Sequence, residues 1–214
     1  MTTRKYEASG VQAEFEPGSR NRVLRNLVGI VRVRDMEVIE SDALAIVQEA
    51  APVRYGSTHR FSTSDIRELH RHWLGRIYAW AGEYRTLDIG KGGFQFAHAA
   101  RIPLLMAEFE SQVLQRLTPC VGGDHDHLAA ALAEVHAELI LIHPFRDGNG
   151  RLARLLAVLM ARQAGVRPLR FRSLDRKGKR SYVAAIQAAM GRNYLPLVDL
   201  FRRVIDETVA SSTQ

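Results

Sequence analysis

At 214 residues, 46% hydrophobic and 25% charged, the chain is sized for one globular domain with a sizeable core and an appendage. Its one cysteine, Cys120, excludes an internal disulfide and points to a reducing compartment, the cytoplasm. The net charge of +7 suits anionic ligands, but the excess is arginine scattered over helices without the aromatic interleaving of a single-strand binder, which discounts nucleic acid.

No run approaches the roughly 20 apolar residues that cross a bilayer, and Met1-Thr2-Thr3-Arg4-Lys5 opens no secretory signal, so no membrane partner is expected. Residues 1–20 lack periodicity and read as an arm packed on the body or as a poorly ordered terminus. A helix is predicted from about Arg34 to Ala50, closed by Pro52 and Gly56, and a boundary falls at Tyr55-Gly56-Ser57-Thr58. Ser62-Thr63-Ser64-Asp65 offers N-caps for the next helix. Its apolar face is Ile66, Leu69, His70, Trp73, Leu74, Ile77 and Tyr78, and it ends at Trp80-Ala81-Gly82. His70 and His72 point to different sides of a helix, which disfavours a metal pair. Glu83 to Ile89 alternates like a short strand, Gly90-Lys91-Gly92-Gly93 is a turn, and Phe94-Gln95-Phe96 alternates again, so this stretch reads as a β-hairpin. Pro103 to Leu117 is an amphipathic helix with proline at its first turn.

After a loop at Pro119 to Asp126, with Asp124 or Asp126 as helix cap, Leu128, Leu132, Val135, Leu139 and Ile142 mark one helix face. His136 on that helix reads as a packed or surface histidine, with a second catalytic histidine as the alternative. Leu152, Leu155, Leu156 and Leu159 mark another helix. Between the two lies His143-Pro144-Phe145-Arg146-Asp147-Gly148-Asn149-Gly150-Arg151-Leu152-Ala153-Arg154. Pro144 should end the first helix at His143. Gly148 and Gly150 can take left-handed angles and admit a ligand close to the backbone. The second helix then begins with unpartnered N–H groups, a nest suited to a diphosphate. Arg151 and Arg154, three apart, share a face and can grip phosphate oxygens. Asp147 is a hard ligand suited to a magnesium ion that bridges phosphates. His143 is the natural general base. The G-x-G-x-x-A spacing in this loop is not a dinucleotide fingerprint, because a helix and not a strand precedes it.

Gly165 and Pro168 close the second helix. Arg167, Arg170, Arg172, Arg176, Lys177, Lys179 and Arg180 form a basic loop, either a solvated surface or an aid to anion capture. Helices follow at Ser181 to Met190 and Pro196 to Val209. Tyr182 and Tyr194 are candidates to stack on a base or are plain packing.

The twelve-residue stretch matches every specified position of H-x-F-x-[D/E]-G-N-G-R-x-x-R, and the chain resembles the Fic family over about residues 60–209. The resemblance implies an all-α, mostly helical fold with one short β-hairpin flap. It implies transfer of AMP from ATP to a Ser, Thr or Tyr hydroxyl of a target protein, with release of pyrophosphate. In that scheme His143 deprotonates the hydroxyl, Phe145 anchors the loop, and Asp147 holds Mg2+. Asn149 and the backbone of Gly148 and Gly150 line an anion hole, and Arg151 and Arg154 hold the β- and γ-phosphates. The hairpin at Lys91, Gly92, Gly93 and Phe94 corresponds to the flap, which docks an extended target segment by β-augmentation. Lys91 either reaches a phosphate or is a solvated turn lysine. The related Doc branch phosphorylates and carries Lys where this chain has Gly150, so Gly150 favours AMP transfer.

Fic enzymes are commonly restrained by a helix bearing [S/T]-x-x-x-E-[G/N], whose glutamate would pair with Arg154. The nearest case is Thr3 to Glu7, followed by Ala8, so a separate antitoxin is expected to supply that helix and the chain reads as the toxin of a pair. The expected division is an N-terminal arm and helix at 1–55, a Fic domain at 56–209 and a disordered tail at 210–214. Three rivals remain: transfer of another nucleotide or phospho-group by the same site, a non-enzymatic module that binds a nucleotide or partner, and a basic nucleic-acid-binding protein.

Overall fold

The computed structural model describes residues 7–8, 14–91, 94–171 and 178–210. Residues 211–214 of the tail expected at 210–214, Gly92 and Gly93 of the hairpin turn, Arg172, Arg176 and Lys177 of the basic loop, and Thr3 lie outside them, whereas Ala210, the first residue of that tail, ends a helix. The fold is mostly helical with one short hairpin. Helix α1 (Val33–Arg54) and α2 (Thr63–Leu74) pack together, followed by strands β2 (Ile89–Lys91) and β3 (Phe94–Gln95). Next come α3 (Ile102–Phe109), a π-helical turn (Glu110–Leu114), α4 (Gln115–Leu117), α5 (His125–Ile142), α6 (Asn149–Gln163), α7 (Lys179–Ala189) and α8 (Leu195–Ala210). No described helix is long and apolar enough to cross a membrane.

Helix α5 is the spine, with α6 and α8 against it. Its alanines and leucines are buried almost all round, as expected of a helix enclosed by others. Asp124 caps it by accepting the His127 N–H at 2.9 Å. Ser62 and Asp65 form a reciprocal capping box at the start of α2. Gly165, with φ +78°, closes α6, where the Val166 N–H returns to the Ala161 carbonyl at 2.9 Å. One apolar cluster runs from Val23 to Ile205 and includes Met36, Val47 and Ala51 of α1.

Three boundaries differ from the sequence reading. Helix α1 runs through Pro52 to Arg54. Helix α2 stops at Leu74, not Gly82, because the Ile77 carbonyl accepts the Leu27 N–H at 2.8 Å and so leaves the helical ladder. Residues 83–88 are not a strand. There the Arg85 N–H goes to the Pro144 carbonyl at 2.8 Å, and the Asp88 carboxylate accepts the Ala99 N–H at 2.7 Å. Strand β2 pairs antiparallel with β3 through Gly90 opposite Gln95. Its other edge is taken by the arm: β1 (Glu7–Ala8) lies antiparallel with Glu7 opposite Gly90.

Candidate active site

Helix α5 delivers His143 as its C-cap in the left-handed conformation, φ 53°. The extended geometry favoured before proline is overridden here, because the His143 N–H still closes the last turn onto the Leu139 carbonyl at 3.0 Å. A non-glycine residue in this region carries strain. Its Nδ1 lies 3.1 Å from the Ile140 carbonyl, an acceptor, so the proton sits on Nδ1 and the lone pair on Nε2. The imidazole is 5% exposed, because Phe96 stacks on it at 3.7 Å with an interplanar angle of 17°. Burial, with the nearby charges of Arg85 and Lys91, pushes its pKa down to about 3.

The loop after His143 is built from within. Phe145 is fully buried and stacks on His70 at 4.0 Å with planes 8° apart. Burying such a side chain contributes about 2–3 kcal/mol. Asn149 accepts the Phe145 N–H at 2.9 Å and donates to the Phe145 carbonyl at 2.8 Å. Its side chain thus staples the loop from within, at the start of α6. Gly148 adopts φ +84°, and an added Cβ would lie 2.8 Å from the Trp73 ring. The Gly148 N–H donates to Asp147 Oδ1 at 2.5 Å. Gly150 does not use left-handed angles; it sits in the first turn of α6, and a Cβ there meets nothing within 4 Å.

The two motif arginines share α6 but face different company. Arg151 reaches Glu40 of α1 at 2.6 Å, and its guanidinium lies 4.6 Å over the Trp73 ring. Arg154 lies close enough to His136 and Tyr182 for its charge to act on both: it adds to the burial that lowers the His136 pKa, and it offsets part of the rise that burial gives Tyr182. His136 is buried and 2.8 Å from the Tyr182 hydroxyl, so it is a packed residue. Lys91 is exposed, and Phe94 is half-buried edge-on to Phe96 at 5.1 Å.

Three residues that support the site were given no part in it by the sequence, which placed His70 only on an apolar helix face. Arg85 is buried, and its guanidinium donates to the carbonyls of His143 at 2.8 Å, Leu87 at 2.7 Å and Ala97 at 2.5 Å. It ties the hairpin to the catalytic turn, and desolvation pulls its pKa down to about 10. His70 accepts the Gly82 N–H on Nδ1 at 2.8 Å, so its Nε2–H donates to the Asp147 carbonyl at 3.1 Å. Burial lowers its pKa to about 4, keeping it neutral. Glu40 is the third. Its sequence signal is a charged residue in register with Met36, Val47 and Ala51, the buried face of α1.

A magnesium ion fits the donor set in one way. Asp147 supplies a single, mostly buried carboxylate, and no cluster of three or more ligating side chains occurs among the described residues. That suits an ion that keeps several waters and shares phosphate oxygens, not an all-protein cage.

Comparison with known proteins gives the family. Residues 60–161 match the model described as the Fic/DOC family. Protein adenylyltransferase VbhT of Bartonella schoenbuchensis is 32% identical over 163 residues, 76% of this chain and 33% of that protein. The probable protein adenylyltransferase Fic of Salmonella typhimurium is 29% identical over 67% of this chain and 70% of its own. This chain thus spans a third of the first relative and about two thirds of the second. Among solved structures, BepC of Bartonella tribocorum with bound AMPPNP superposes with a TM-score of 0.71, 21% identity, and coverage of 90% of this chain and 96% of that one. A Fic domain of Bartonella quintana with bound ADP gives 0.70, 23%, 90% and 95%. At those identities the structures show a shared fold. With the full twelve-residue signature at the α5–α6 joint and the matched model around it, residues 60–161 form a domain of the Fic/DOC family.

Proposed function

We propose that this protein is a magnesium-dependent protein adenylyltransferase that moves AMP from ATP to a Ser, Thr or Tyr hydroxyl of a target protein. The observation that carries the reading is the state of His143: a neutral imidazole protonated on Nδ1, near enough to Asp147 to feel its charge, at the start of the loop that leads into α6. Nε2 takes the hydroxyl proton, the hydroxyl oxygen bonds to the α-phosphorus, and the bond from that phosphorus to the bridging oxygen breaks, so pyrophosphate leaves. The free N–H groups of the first turn of α6, with Arg151 and Arg154, hold the polyphosphate. Mg2+ held by Asp147 supplies charge neutralisation of the phosphates. The relatives named protein adenylyltransferases support the same assignment.

The target segment adds to the hairpin at Lys91 to Phe94. The restraining helix comes from a separate antitoxin, since no glutamate of these 214 residues precedes Gly or Asn. An ATP-bound crystal structure with a glutamate of this chain on Arg154 refutes that part.

Label transfer tests the whole. With magnesium and a cell lysate, protein label from α-labelled but not γ-labelled ATP, lost in His143→Ala while nucleotide binding persists, is the expected result. Label from the γ-position alone makes it a kinase. A second reading, a nucleotide-binding module, is favoured by the Phe96 ring lying over His143. It gains ground if binding is intact and neither label transfers.

A further inference from the structure

Glu40 belongs to α1, outside the stretch that the family model matches. It is 5% exposed. A carboxylate so deep must be fully partnered, and it is. One oxygen accepts the Tyr78 hydroxyl at 2.6 Å, and the other accepts Arg151 Nη1 at 2.6 Å. Its main-chain carbonyl accepts the Trp73 indole N–H at 2.8 Å, and that same indole carries the Arg151 guanidinium on its face at 4.6 Å. Arginine is a long side chain with many rotamers. Here Glu40 below one edge and Trp73 beneath the plane leave it one orientation. In that orientation Nη2 points back over the motif loop, 3.8 Å from Asp147 Oδ1. Nη2 is buried and makes no hydrogen bond among the described residues. A buried guanidinium donor without a hydrogen bond is costly, and an anion arriving at the loop would relieve it.

We infer that Glu40 is a positioning residue: it holds Arg151 so that the Nη2 edge is presented to the β-phosphate of the bound nucleotide. The inference rests on the proposed function, which makes Arg151 a phosphate ligand. Glu40 touches neither nucleotide nor target; it acts through Arg151. Glutamine at this position keeps the size of the side chain, and its amide can still accept from Arg151 and donate to the Tyr78 hydroxyl, but it lacks the negative charge that makes the Arg151 contact a charge-assisted one.

The test is titration calorimetry of the full chain with ATP, ADP and AMP in magnesium, for the wild type, Glu40→Gln and Glu40→Ala. AMP has no β-phosphate and never meets Arg151. The expected result is an affinity for ATP and ADP reduced about tenfold, ~1.4 kcal/mol, with AMP unchanged. Adding Glu40→Gln to Arg151→Ala should then lower ATP affinity no further. Equal losses for all three nucleotides, or none, make Glu40 a purely structural residue and overturn the inference while leaving the proposed function standing. A gain in ATP affinity overturns it in the other direction, since Glu40 would then be restraining Arg151. If Glu40→Ala does not fold, Glu40→Gln decides. A wild type that binds none of the three overturns the proposed function with it.

Discussion

The two glycines of the motif carry different obligations. Gly148 has a left-handed backbone and a tryptophan ring where a side chain would begin. Gly148→Ala should therefore cost about 1–3 kcal/mol of stability, from strain and from displacing Trp73. Urea titration followed by tryptophan fluorescence reads this directly. Gly150 is helical with open space around it, so Gly150→Ala should be neutral or stabilise by up to about 1 kcal/mol. If a phosphate approaches the backbone there, Gly150→Ala weakens ATP binding while raising Tm, a dissociation that no folding defect produces. At this scale the sequence was most legible where chemistry is local: His143, Asp147 and the glycines stand within one short loop. It was least legible where a residue acts across the fold. Arg85 meets His143 at a separation of 58 residues, His70 meets Asp147 at 77, and Glu40 meets Arg151 at 111. Periodicity places such a side chain on a face but does not say what it touches.

Among the elements, α5 and α6 follow from their apolar spacing, and the caps at Ser62, Asp124 and Gly165 are where turn and capping chemistry put them. The stretch from Gly75 to Asp88 misled because its local hydrogen bonds close only separate turns, while Ile77 and Arg85 bond to distant main chain at Leu27 and Pro144. The hairpin was legible as a hairpin, but its contact with His143 was not. Phe96 lies one residue beyond β3 and is held there by its N–H on the Ile89 carbonyl at 3.2 Å. Phe96→Ala should expose the imidazole, so its pKa climbs from about 3 toward the ordinary value. At pH 5.5 the wild-type base is still neutral, whereas the variant's is largely protonated. The variant should lose transfer at pH 5.5 but keep it at pH 8, and titration of the His143 ring protons by NMR checks the cause. An unchanged ring pKa in the variant would count against Phe96 as its cover.

Across the whole molecule, three buried histidines make the fold acid-sensitive. His70 is held down to about 4, and His136 and His143 to about 3, each chiefly by desolvation. All three are folded-state depressions from 6.5. The stability they permit is complete above pH 6.5, and it is lost as pH falls from there toward 4, because the unfolded chain takes up protons that the folded one refuses. Each histidine contributes a slope of up to about 1.4 kcal/mol per pH unit in that window. Tm should fall steeply between pH 7 and pH 5, and His136→Gln should flatten the fall by about a third. A Tm constant over that range would contradict the burial of these rings.

The floor under the loop also bears on engineering. Twelve contiguous residues hold the recognisable signature, yet their shape is imposed from below by Trp73 against Gly148, His70 against Phe145, and Arg85 beneath His143. Grafting those twelve residues between two helices of an unrelated bundle would transfer the letters of the motif without its geometry. A transplant that works must bring the α2 face and the buried arginine along with it.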